Sequence, residues 1–121
     1  MKGVAWGIAL LASAFACVPA AHAHAFLDHA VPAVGSTVHG SPAEVRLWFT
    51  QELEPAFSTV SVVDQAGNRV DQRDKVVDRA DRTLLRVSVR QLAPGTYRVL
   101  WRVLSVDSHV TEGDFGFEVA P

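Results

Sequence analysis

From Thr96 to Val106 the chain alternates without a break. Tyr97, Val99, Trp101 and Val103 fall on one side, and Arg98, Leu100, Arg102 and Leu104 on the other. Side chains of an extended backbone point to opposite faces with a period of two, so this run is predicted as a long strand. Such a strand needs a second layer to cover its apolar face, and the remaining sequence offers one. Glu44–Thr50 alternates as well, with Val45, Leu47 and Phe49 on one face. Ser58–Asp64 is rich in β-branched residues and runs into the turn Asp64-Gln65-Ala66-Gly67-Asn68. Thr83–Val89 reads as another strand. Phe115, Phe117 and Val119 alternate with Gly116 and Glu118 in a last one.

No stretch beyond residue 23 carries a long helical period. Short strands spaced by about 8–12 residues predict an all-β fold, an immunoglobulin-like Greek-key β-sandwich or barrel. Leu92-Ala93-Pro94-Gly95-Thr96-Tyr97 strengthens this reading. In such sandwiches a Tyr near the start of a strand bonds back to the backbone a few residues upstream. Asp71–Asp81, the most charged run, reads as a solvated loop or edge. With no internal repeat, low-complexity tract or Gly/Ser linker, the chain reads as one domain.

The first 23 residues have a different character. Lys2 is followed by an apolar run, Val4–Val18, interrupted only by Gly7 and Ser13, then by Pro19 and Ala21-His22-Ala23. This is the pattern of a cleaved secretory signal with an A-x-A site. The run falls short of the roughly 20 residues a membrane-spanning helix needs. Cys17 would permit lipoprotein processing, but Ala14-Phe15-Ala16 lacks the preceding pattern that favours it. Cleavage after Ala23 removes the only Cys and the only Met and leaves 98 residues, 24–121, with 10 Lys+Arg, 13 Asp+Glu and a formal charge of −3. An exported chain of this size without a disulfide must rely on a packed core. The acidic balance and the lack of a basic cluster interleaved with aromatics give no basis for nucleic-acid binding.

The same cleavage makes His24 the first residue of the mature chain. An amino-terminal His can offer its α-amine and imidazole Nδ1 together, closing a six-membered chelate. Both nitrogens must be deprotonated, against reference pKa values of roughly 7.7–8.0 and 6.5, so near neutral pH a strong Lewis acid is required. The Irving–Williams order favours Cu(II). Far downstream, Asp107 and His109 are separated by one residue, and in an extended segment both point to the same side. Each feature alone is weak, and a bare D-x-H is more often a polar loop. His29 and His39 lie in loop-like sequence; His29, close to His24, is a candidate accessory ligand. Without sulfur ligands a blue-copper site is excluded, and the nitrogen-and-oxygen set suits tetragonal Cu(II). Nucleophile-elbow, HExxH, P-loop and dinucleotide motifs are absent.

These residues resemble the CopC family of periplasmic copper-binding proteins. The resemblance rests on His24 directly after the signal, Pro32 with Gly35-Ser36, and Val45-x-Leu47-x-Phe49-Thr50. It rests most on Pro94-Gly95-Thr96-Tyr97-x-Val99-x-Trp101-Arg102-Val103-x-Ser105-x-Asp107-x-His109, followed by Gly113-x-Phe115-x-Phe117-x-Val119. It implies a Greek-key barrel binding one Cu(II) at one end, through the amine and imidazole of His24, Asp107 and His109. It also implies a periplasmic role in copper sequestration or handling beside an inner-membrane partner of the CopD type. Two departures stand out. Some members carry methionines for a separate Cu(I) site, and this mature chain has none. Some carry a Glu after the Phe-Ser/Thr pair, where this chain has Gln51 followed by Glu52.

The expected function is therefore that of a monomeric periplasmic Cu(II) carrier or buffer without catalytic turnover. Two other readings are a copper monooxygenase with an amino-terminal histidine brace and a structural immunoglobulin-like module. About 98 residues leave little chain for the long loops that a flat polysaccharide-binding face needs. Metal titration separates the third reading from the other two.

Overall fold

The alternation of Thr96–Val106 materialises as the strand β7 (Gly95–Leu104), hydrogen-bonded along its whole length to β8 (Val110–Ala120). The structure, a computed structural model, describes Gly3 and residues 25–121; the rest of the segment expected to be a signal peptide, and His24, lie outside the described residues. The other strands are β1 (Leu27–Val31), β2 (Thr37–His39), β3 (Glu44–Phe49), β4 (Thr59–Val63), β5 (Val76–Val77) and β6 (Leu84–Ser88). A single turn of 3-10 helix, Pro55–Phe57, precedes β4.

They form two four-stranded sheets, ordered β1-β3-β6-β5 and β2-β8-β7-β4. The expected immunoglobulin-like β-sandwich is the observed architecture. All pairings are antiparallel except β2 with β8, which is parallel. The inward faces match the alternation. Val45, Leu47 and Phe49 from β3 and Leu85 and Val87 from β6 meet Val60 and Val62 from β4, Val99 and Val103 from β7, and Phe115 and Phe117 from β8. Burying each such side chain contributes about 1.5–3 kcal/mol, so the core stabilises the fold without a disulfide.

The Tyr97 hydroxyl donates to the Ala93 carbonyl at 2.5 Å, and its ring stacks on Phe117. This is the corner expected from Leu92–Tyr97. Trp101 lies edge-on to Phe49, and its indole covers Gly113, where an added Cβ would come within 2.6 Å of the ring. Any side chain at position 113 would have to displace the Trp101 indole.

The charged run Asp71–Asp81 is only partly the solvated edge it was expected to be. It contains the edge strand β5, and its first residue is buried. Asp71 accepts from the Val62 N–H, from Arg69 and from the Arg73 N–H, replacing the water it has lost. β1, β2 and β5 carry too little alternation to announce themselves as strands, being short and on edges.

Candidate metal centre

At the end of the sandwich where β7 turns into β8, three segments of the chain meet. The first is the turn itself. Ser105 continues the inward parity of Val99, Trp101 and Val103, so it is buried. Its N–H donates to the His109 carbonyl at 3.0 Å, and the Ser108 N–H donates to its carbonyl at 2.9 Å. Ser108 takes φ 70°, the left-handed conformation that lets the chain reverse sharply. The buried Ser105 hydroxyl donates to the Asp107 carboxylate and accepts from the His109 N–H at 3.3 Å. One small side chain thus ties together both members of the Asp107-x-His109 pair.

Asp107 and His109 are brought together, with Oδ1 and Nδ1 3.4 Å apart. Both side chains stay accessible, 36% and 44% exposed. The Ser105 hydroxyl, aided by His109, holds the Asp107 carboxyl below the usual carboxylate range against the opposing effect of desolvation. The pair presents an ionised oxygen and an imidazole on one side of a rigid turn.

The second segment is 50–54, between β3 and the 3-10 turn. The Val106 N–H donates to the Glu52 carbonyl at 3.1 Å, and the Glu54 N–H to the Leu104 carbonyl at 2.8 Å. Glu52 supports the turn through its backbone, while its carboxylate lies 3.9 Å from Arg82. Gln51 is half-buried in the bend before Leu53.

The third segment is Ala25-Phe26. Ala25 is fully buried, and its carbonyl accepts from the Thr111 hydroxyl at 2.6 Å. The Phe26 N–H donates to Thr50 Oγ1 at 3.0 Å, and the Thr50 N–H returns a bond to the Phe26 carbonyl at 2.9 Å. Thr111 stands two residues beyond His109. The start of the described chain is therefore fastened beside the turn that carries Asp107 and His109. Among the described residues, no three His, Cys, Asp or Glu side chains gather into a metal-holding group; Asp107 and His109 form a pair.

The CopC domain model matches residues 27–120. The chain belongs to the CopC family. It is similar to Protein YobA of Escherichia coli, 30% identical over an alignment that covers 98% of this chain and 95% of that protein. Two solved structures share the fold. CopC from Methylosinus trichosporium OB3b is 37% identical with a TM-score of 0.76, over 81% of this chain and 95% of that one. PcoC, a methionine-rich copper resistance protein from Escherichia coli, is 30% identical with a TM-score of 0.70, over 80% and 99%.

In this CopC-family chain the remaining histidines have other surroundings. A register irregularity between Leu27 and His29 sets Asp28 beside His29, with 2.6 Å between the His29 Nδ1 and the carboxylate. The His29 ring stacks on Trp48 at 4.4 Å. His39 pairs with Ala120, at the far end of the 11-residue β8 and roughly 33 Å of strand from the turn. Ser105, Thr50 and Thr111 escaped the sequence reading as functional residues. Ser105 had a signal: a hydroxyl at a parity position where the strand otherwise places core side chains. The two threonines had none, because their partners are backbone groups distant in sequence.

Proposed function

We propose that this chain is a periplasmic copper-binding protein that takes up one Cu(II) and sequesters it or hands it on, without catalytic turnover. His24, freed as the amino terminus by cleavage after Ala23, would supply its α-amine and imidazole, and Asp107 and His109 the other donors. The observation that carries this reading is the fastening of Ala25 beside the Asp107–His109 turn. Ala25, the residue that follows His24 in the chain, is held by Thr111, two residues beyond His109. An ionised carboxylate and an imidazole fit Cu(II), which favours nitrogen and oxygen donors in tetragonal geometry. The copper named for PcoC, and that protein's description as methionine-rich, sharpen the expectation. This chain's only Met is Met1, so Cu(I) should bind poorly. Bound copper is cargo here, which suits a monomer that exchanges it with an inner-membrane transport protein of the CopD type.

A competitive Cu(II) titration with electron paramagnetic resonance tests the reading. The protein beginning at His24 should bind one equivalent with a type-2 signal and no intense blue absorption. A Gly-His24 extension, which turns the amine into an amide, should weaken binding, as should His109→Ala. Equal affinity with and without the extension would exclude the amine as a ligand. Turnover of polysaccharide with reductant and peroxide would point instead to the monooxygenase reading.

A further inference from the structure

Thr50 and Thr111 come from different sheets. Thr50 directly follows β3, while Thr111 lies within β8. Between them they make three hydrogen bonds to the two residues Ala25 and Phe26, two from Thr50 and one from Thr111. The Thr111 bond spans 86 residues of sequence. Ala25 is itself fully buried as part of the hydrophobic core. An amino-terminal segment without such fastenings frays; this one is clasped across the open end of the sandwich immediately before its first strand.

We infer that Thr50 and Thr111 are positioning residues that hold the mature amino terminus in register with Asp107 and His109, so that the His24 chelate is prepaid in order before the metal arrives. This rests on the copper reading above and extends it to two residues that touch no metal. The physical reason is preorganisation. A loose terminus must be ordered when the ion binds, and fixing the backbone of each residue opposes binding. Thr111 matters more, because its bond is to Ala25, the residue joined to His24. Val has nearly the shape of Thr without the hydroxyl, so Thr111→Val removes the bond to the Ala25 carbonyl and leaves the packing close to intact.

A double-mutant cycle on the purified protein beginning at His24 tests this, with Cu(II) as the probe. The four proteins are the native chain, Thr111→Val, the Gly-His24 extension, and both changes together. Thr111→Val should weaken Cu(II) binding about tenfold and alter the nitrogen hyperfine pattern of the type-2 signal. Thr111→Ser, which restores the hydroxyl, should recover most of the loss. In the extended protein, whose amine is already lost, Thr111→Val should change affinity by less than about threefold. Apo thermal melts identify any variant that fails to fold, and Thr50→Val then provides an independent test with the same expected non-additivity. If the extension weakens binding but Thr111→Val does not, the clasp is overturned and the amine ligand stands. If Thr111→Val weakens binding equally with and without the extension, it acts elsewhere and the clasp is again overturned. If the extension itself has no effect, the amine reading falls and the clasp with it.

Discussion

Asp71 and Asp107 are both held below the usual carboxylate range, and their surroundings differ in every other respect. The Asp71 side chain is 0% exposed. It accepts from the Val62 N–H at 2.9 Å, Arg69 Nε at 3.1 Å and Nη2 at 2.7 Å, and the Arg73 N–H at 3.2 Å. Burial alone would push its pKa up; the Arg69 bonds and the two backbone donors outweigh that and bring it down. A carboxylate has about four lone-pair sites, and these donors occupy them. Asp107 is held chiefly by one hydroxyl, Ser105, with His109 alongside, and more than a third of its side chain is open. One carboxylate is saturated and serves the fold; the other is oriented but unsaturated and can serve a ligand. The shift in pKa does not distinguish the two roles. The remaining acceptor capacity does.

The largest effect should follow from breaking the saturated site. Asp71→Ala leaves the Val62 and Arg73 N–H groups without their acceptor, while Arg69, 37% exposed, can turn to water; it should lower unfolding stability by about 2–3 kcal/mol in urea melts. The folded fraction should keep its Cu(II) affinity. Asp71 also sets an acid limb. Because its folded pKa is depressed, its contribution is complete above the unfolded value of about 3.9 and is lost as pH falls through the lower folded value. Asp71→Asn should flatten the pH dependence of stability in that window, and an unchanged limb would assign it to other carboxylates. Next in size, Asp107→Asn should weaken Cu(II) binding by more than about tenfold, in the range seen when metal-site groups are altered. Its apo stability should shift by only about 0.5 kcal/mol, as for an exposed position. A large loss of stability with unchanged affinity would reverse the comparison.

A smaller effect is expected from Ser105→Ala. It removes the donor that orients Asp107, costing about 1 kcal/mol of stability. Nuclear magnetic resonance titration should show the Asp107 pKa moving up toward the ordinary carboxylate value. Smallest of all, His39→Ala should leave Cu(II) affinity within about twofold in the same titration, since His39 lies on β2 beside the far end of β8.

Much of the sandwich was legible because its central strands announce their inward face. Val45, Leu47 and Phe49 in β3, and Tyr97, Val99 and Val103 in β7, alternate and are buried. The Tyr97 corner was legible from a local motif. The parallel pairing of β2 with β8 was not, since three residues, Thr37–His39, carry too little pattern. The burial of Asp71 was hidden inside a charged run, because a buried carboxylate and a solvated one read alike until their partners are placed. Of the candidate site, the nearness of Asp107 and His109 was expected from an extended segment, and it arises instead from a turn that ends β7, with Ser108 at φ 70°. The segments that converge on it were not legible, since Thr50 and Thr111 recognise backbone atoms, which leave no mark in the side-chain code.

The bond from Thr111 to Ala25 joins two segments 86 residues apart in sequence, and that separation has a temporal meaning. Contacts between distant positions close the largest loops and form after local pairings such as β7 with β8. A binding site that needs both segments would be the last part of the molecule to exist. In stopped-flow refolding of a Trp48→Phe variant, the Trp101 fluorescence change should precede the Cu(II) signal; simultaneous appearance, or copper uptake first, would contradict this order. On the copper reading proposed above, a chain still carrying its leader would hold no competent ligand set, so that cleavage and folding would both have to precede loading.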